Sequence, residues 1–172
     1  CPRWVEARDK KTGEMLFQSK NLWVIMDMIK GRPERPSYID GRLPYVDPQL
    51  RHFDPALPKF PSEDEYNEGS FDSLKVHPTY YDTDYNRHVN NISYIVWLME
   101  SFPHEYLDHN LPEFFDVEWK KQCHLGDEIR VETKKKENSE EYYTKILRKC
   151  EDGSEEIAFH GITRWRKRVL DK

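Results

Sequence analysis

One stretch of this chain spells a helix that is apolar almost all the way round. From Asn90 to Ser101, Ile92, Ile95, Val96 and Met99 recur at helical spacing, and Tyr94, Trp97 and Leu98 fill most of the remaining circumference. Such a helix has no wide polar face to give to water, so it must be covered on most sides. Asn90 or Asn91 is placed to cap its start, and Pro103 stops it. The rest of the chain has to supply the cover.

The cover reads as strands. Branched and aromatic residues predict a strand over 71–79 before the helix and four more after it, over 114–122, 128–135, 141–150 and 155–166. Turns fall at Gly126–Asp127, Glu137–Asn138–Ser139 and Asp152–Gly153. One strand, one buried helix and a four-strand antiparallel meander are satisfied together by a curved sheet wrapped around the helix. That is an α+β class, the hot-dog fold, assigned here to residues 70–172.

The front of the chain is different. Residues 1–30 read as two strands joined by a turn at Lys10–Lys11–Thr12–Gly13. A lone hairpin is marginal in water. It either packs on the rest of the chain or is the end of a sheet whose other strands precede Cys1. Residues 31–69 hold Pro33, Pro36, Pro44, Pro48, Pro55, Pro58 and Pro61. Proline removes a donor and fixes φ, so neither a helix nor a central strand runs through such a segment. It reads as a stiff connector, pinned by Tyr38, Tyr45, Phe53 and Phe60.

Charge and composition exclude several classes. With 27 basic against 32 acidic residues, the net charge of −5 does not suit a non-specific nucleic-acid binder. The longest apolar runs, 22–26 and 94–99, are far below the roughly 18 residues of a membrane-spanning helix. Cys1, Cys123 and Cys150 are odd in number and lack a C-x-x-C pair, which predicts free thiols in a reducing compartment and no zinc site. His104, His109, His124 and His160 have no metal-ligand spacing, and no Gly-rich phosphate loop occurs. A cytoplasmic, bacterial location is the expectation; a plastid is kept open because the chain begins with Cys1 and not with methionine.

Chemistry concentrates between the first strand and the helix. Asp82, Asp84, Asn86, His88, Asn90 and Asn91 crowd the segment 81–94. The free N–H groups of a first helical turn can hold a developing oxyanion, aided by the helix dipole. A carboxylate and an imidazole beside them could activate water or act covalently. The same residues serve equally well as turn formers and caps.

The stretch Asp84-Tyr85-Asn86-Arg87-His88-Val89-Asn90-Asn91, followed by Tyr94, Trp97, Glu100 and Ser101, resembles the signature of the acyl-carrier-protein thioesterases, which release fatty acids from carrier protein in plants and bacteria. Arg8 to Glu14 and Trp23 to Asp27 resemble the closing strands of that family's first hot-dog domain. Val117 to Cys123 and Thr163 to Arg166 match strands of its second. The resemblance implies a tandem hot-dog protein of which the first half is mostly absent here.

The resemblance also implies site residues. Asp84, Asn86 and His88 match catalytic positions, Cys123 matches a proposed nucleophile, and Gln122 stands where the family has a glutamate base. An amide cannot usefully accept a proton, although Gln122 could still orient water. Two mechanisms follow. In one, Asp84 is the base or nucleophile while Asn86 and His88 position water and thioester. In the other, Cys123 attacks after His88 takes its proton. Strand parity places Cys123 with Val117 and Trp119 on the apolar side, the setting of a small core residue, so Asp84 is favoured. The implied reaction is hydrolysis of fatty acyl-acyl carrier protein in fatty acid synthesis, with no cofactor and no metal. The alternatives are an acyl-CoA hydrolase and a non-catalytic acyl-binding module. The basic cluster Arg164, Arg166, Lys167 and Arg168 could dock an acidic carrier protein or be an exposed strand end. A homodimer is compatible with the fold.

Overall fold

The computed structural model describes residues 2–27, 29–30, 32–35, 37, 59–71 and 73–169. The chain divides into two compact units, 1–59 and 60–172. In the first, β1 (Pro2–Arg8) pairs antiparallel with β2 (Met15–Leu22), from Pro2↔Leu22 to Ala7↔Phe17. Asp9 closes the turn by accepting the N–H groups of Lys11 and Thr12 at 2.8 and 2.7 Å. The second expected strand, read over 15–26, does not run that far. It breaks at Trp23 and Val24, and β3 (Ile25–Asp27) pairs instead with β4 (Arg32–Glu34) in a second ribbon. Pro33 is tolerated there because a two-stranded ribbon has only edge strands. Leu16, Phe17, Leu22 and Val24 are exposed.

The proline-rich segment is therefore not connector throughout. Its start carries β4, and its end, from Phe60, belongs to the second unit. Phe60 stacks on the His160 ring with centroids 3.9 Å apart, and Tyr66 is buried with its hydroxyl donating to Glu141 at 2.8 Å. Pro36, Tyr38, Pro44, Tyr45, Pro48, Phe53, Pro55 and Pro58 lie outside the described residues.

In the second unit, the expected strand over 71–79 is two short pieces, β5 (Glu68–Ser70) and β6 (Leu74–Val76). The helix α1 runs over Asn91–Glu100. Pro103, which stops it, also opens a second, unexpected helix, α2 (His104–His109), where proline's fixed φ is an asset. Four long strands follow: β7 (Asn110–Trp119), β8 (Ile129–Lys135), β9 (Glu141–Lys149) and β10 (Glu155–Lys167). Their order is β5-β8-β9-β10-β7, with β6 also on β8. The meander thus has three members and not four, because β7 pairs with β10 instead of β8. Crossing from one side of the sheet to the other is what lets it curl around α1.

Leu98 is fully buried, with Tyr94 and Trp97 nearly so, against Val131, Ile146 and Phe159. Gly161, midway along β10, lets α1 approach the sheet closely. The cover is less complete than the periodicity predicts: Ile92 is 69% and Val96 45% exposed.

Candidate active site

The polar segment before α1 is held by its own side chains. Asp82 accepts the N–H and hydroxyl of Thr79, both at 2.7 Å. Burial works to raise its carboxyl, but those bonds outweigh it and leave the group below the usual range. The Asp82 carbonyl accepts the Asn90 N–H at 2.7 Å, and Thr83 bridges to Val89, which pinches 83–89 into a loop. Inside it Asp84 is the organiser. Its Oδ1 accepts the N–H groups of Asn86 (2.8 Å) and His88 (3.2 Å), and its own N–H donates to the His88 carbonyl at 2.8 Å. Arg87 takes φ of 63° to complete the turn. Asp84 and His88 are half-buried, Asn86 is exposed, and Oδ2 of Asp84 takes part in none of these bonds.

Of the two candidate caps, Asn90 is the one used. Its Oδ1 accepts the Ile92 N–H at 2.9 Å, and its carbonyl accepts that of Ser93. The first turn of α1 is thus partly spoken for, and the Asn91 amide is the open one among the described residues.

Across from this loop runs the segment after β7. The strand expected to reach Gln122 ends at Trp119, because Lys120 and Lys121 both donate to the Ala158 carbonyl, at 2.8 and 3.0 Å. Cys123 therefore does not share a strand face with Trp119: Trp119 is 40% exposed, whereas Cys123 is fully buried. Its N–H donates to the Tyr94 hydroxyl on α1 at 2.8 Å, and its carbonyl accepts the Val89 N–H at 2.8 Å. Burial pushes the Cys123 thiol above its ordinary value, which keeps it protonated at neutral pH and unlike an activated nucleophile. We expect Cys123→Ala to keep turnover within about three-fold while costing about 1 kcal/mol of stability; thermal melts and steady-state kinetics on one preparation check both. Gln122 is exposed, and its backbone carbonyl accepts from Arg148 Nη1 at 3.0 Å.

The structure brings together two residues that the sequence reading did not pair. His88 and His124 form an isolated antiparallel bridge, and their rings meet at a centroid distance of 5.3 Å and an angle of 80°. Asp127 Oδ2 accepts the His124 N–H at 2.8 Å and lies 4.0 Å from its Nδ1. The available signal was adjacency: His124 directly follows Cys123 and precedes the Gly126–Asp127 turn.

The basic cluster lies elsewhere. Arg166 and Lys167 pair with Leu111 and Asn110, at the far end of the β7–β10 ladder from Phe159 and Trp119, about 23 Å away at strand rise. Arg164 is engaged by Glu141 at 3.1 Å and sits over the Phe114 ring, while Arg166, Lys167 and Arg168 are exposed. A cleft of about 520 Å³, lined by Phe71, Leu74, Ser101 and Phe102 among others, opens at the opposite end of α1 from Asp84.

Residues 65–167 match the acyl-ACP thioesterase C-terminal domain. The chain is 28% identical to oleoyl-acyl carrier protein thioesterase 2, chloroplastic, of Arabidopsis thaliana, covering 96% of this chain and 51% of that protein. It is 27% identical to a chloroplastic dodecanoyl-[acyl-carrier-protein] hydrolase of Cinnamomum camphora, over 96% and 44% respectively. The chain spans about half the length of the curated relatives it matches. Among solved structures, the 12:0-ACP thioesterase from Umbellularia californica superposes with a TM-score of 0.70 at 23% identity, over 97% of this chain and 62% of that one. An acyl-ACP thioesterase from Bacteroides thetaiotaomicron gives 0.67 at 19% identity, over 96% and 62%. These likenesses establish the hot-dog fold.

Proposed function

Because this chain belongs to the acyl-ACP thioesterase family, through that family's C-terminal domain, we propose that it hydrolyses a fatty acyl thioester carried on acyl carrier protein. The observation that carries the reading is the loop in which Asp84 Oδ1 accepts two backbone N–H groups, one of them that of His88, and Oδ2 is left without a hydrogen bond among the described residues, at the start of a buried helix. In this reading Asp84 Oδ2 takes a proton from water as the water oxygen bonds to the thioester carbon. Asn86 and His88 position water and substrate, and the open Asn91 amide at the positive end of α1 receives the developing oxyanion. Collapse breaks the C–S bond, and the proton passes to the departing sulfur. Cys123 is a core residue and Gln122 has no part in proton transfer.

Arg166, Lys167 and Arg168 are the proposed contact for the acidic carrier protein, with Arg164 tempered by Glu141. The first unit is proposed as the closing strands of a preceding hot-dog domain; its exposed Leu16, Phe17, Leu22 and Val24 suit strands that continue a larger sheet. The fitting location is a compartment that holds acyl carrier protein, bacterial cytoplasm or plastid. The test is turnover of one acyl chain on carrier protein and on coenzyme A. We expect kcat/KM about ten-fold higher on carrier protein, an advantage that shrinks with added salt and in an R166E/K167E variant. Equal turnover on both would favour the acyl-CoA reading, and none on either would remove the hydrolase.

A further inference from the structure

We propose that His124, braced by Asp127, is a positioning residue that holds the His88 imidazole in its working orientation. The inference rests on the hydrolase reading above and adds a residue to its machinery. Among the described residues the His88 ring makes no hydrogen bond, and the ring it meets is that of His124, edge to face at 5.3 Å. A half-buried imidazole that no hydrogen bond anchors is free to turn about its two side-chain torsions wherever packing allows it. Small losses of alignment at a reacting centre cost far more rate than the lost contact suggests.

His124 is well placed to hold that ring because its own backbone is fixed from three directions. It bridges His88, its N–H is held by Asp127 Oδ2 at 2.8 Å, and the preceding Cys123 is tied at both ends. The Cys123 N–H reaches the Tyr94 hydroxyl on the buried face of α1, and its carbonyl takes the Val89 N–H, each at 2.8 Å. Rigidity thus passes from the core through Tyr94 and Cys123 to His124. The Asp127 carboxylate, which holds the His124 N–H, also lies 4.0 Å from its Nδ1. With its side chain 48% exposed, His124 contributes little to the core, so its removal should not unfold the chain.

Steady-state hydrolysis of acyl-carrier protein by the full chain tests this with His124→Ala and His124→Phe. We expect His124→Ala to lower kcat about ten-fold with KM within about two-fold and an unchanged melting temperature. His124→Phe, which restores a ring without its nitrogens, should recover most of that loss. The ring resonances of His88 should move in the alanine variant and return towards wild type in the phenylalanine one. A wild-type kcat in His124→Ala, or a fall explained by KM or by melting, would overturn the positioning role while leaving the hydrolase standing. A wild-type chain that turns over no acyl thioester would instead remove the hydrolase itself, and this role with it.

Discussion

Asp84→Asn is expected to reduce turnover about 10³-fold while leaving the fold untouched. The substitution is unusually clean because of how the carboxylate is used. Oδ1 accepts the N–H groups of Asn86 and His88, at 2.8 and 3.2 Å, and an asparagine carbonyl oxygen can still accept both, though without the charge that strengthens them. The turn, with Arg87 at its left-handed position, therefore keeps its closing bonds. What is lost is Oδ2, replaced by an amide nitrogen that cannot take a proton. Removing a positioned base typically forfeits 10²–10⁴-fold of rate. Asp84→Ala makes the opposite comparison, since it removes the charge and the loop bonds together and should lower the melting temperature as well. Circular dichroism melts and single-turnover hydrolysis of both variants check the pair. Near-full activity in Asp84→Asn would show that the carboxylate serves only to shape the loop, and the mechanism would have to move to another group.

This division of labour also explains what could be read from the residues alone. Asp84, Asn86, His88 and the Asn90 cap lie within a few positions of one another, so a polar turn leading into a capped helix is legible locally, whereas the choice of these residues as a site came from the family resemblance. The apolar run from Ile92 to Met99 likewise announces a covered helix, and the strands after it announce themselves by composition. What stayed hidden depends on partners far away in sequence. The β7–β10 pairing joins Trp119 to Phe159, and no local signal distinguishes it from a pairing with β8; only the need to wrap α1 selects it. The early end of β7 is set by the Ala158 carbonyl, which takes two amides from Lys120 and Lys121. That bend is what brings His124 across to His88, a contact spanning 36 positions. An all-round apolar helix carries no periodic mark of the part left open, which here is Ile92 and Val96.

Gly161 is where the wrapping of that helix depends on a single missing side chain, and Gly161→Val should be strongly destabilising. A Cβ built at this position would lie 3.0 Å from Leu98 Cδ1, 3.1 Å from Val117 Cγ1 and 3.3 Å from Phe159 Cε1. Those neighbours are packed side chains, Leu98 and Phe159 among them fully buried, so they have little room to withdraw. Two effects oppose each other. Losing glycine's freedom in the unfolded chain favours the variant by about 0.4–1 kcal/mol, and valine's branched side chain suits a strand. Overpacking a close-packed core costs about 1–3 kcal/mol per insertion, and valine adds three carbons where even one is crowded. Crowding wins, by about 3 kcal/mol, which for a unit of this size lowers the melting temperature by roughly 13 °C. Gly161→Ala should cost less, about 1 kcal/mol, since a few tenths of an ångström of yielding accommodates it. Trimming the helix side should relieve the clash. Leu98→Ala alone leaves a cavity and costs about 2–5 kcal/mol, yet Leu98→Ala combined with Gly161→Val should be at least about 1 kcal/mol more stable than the two costs added together. Strict additivity in that cycle would mean that α1 does not press on β10 at Gly161. The same displacement should reach the chemistry, because α1 carries the Asn90 cap and the Asp84 loop at its start: turnover in Gly161→Val should fall even at temperatures where the variant is fully folded.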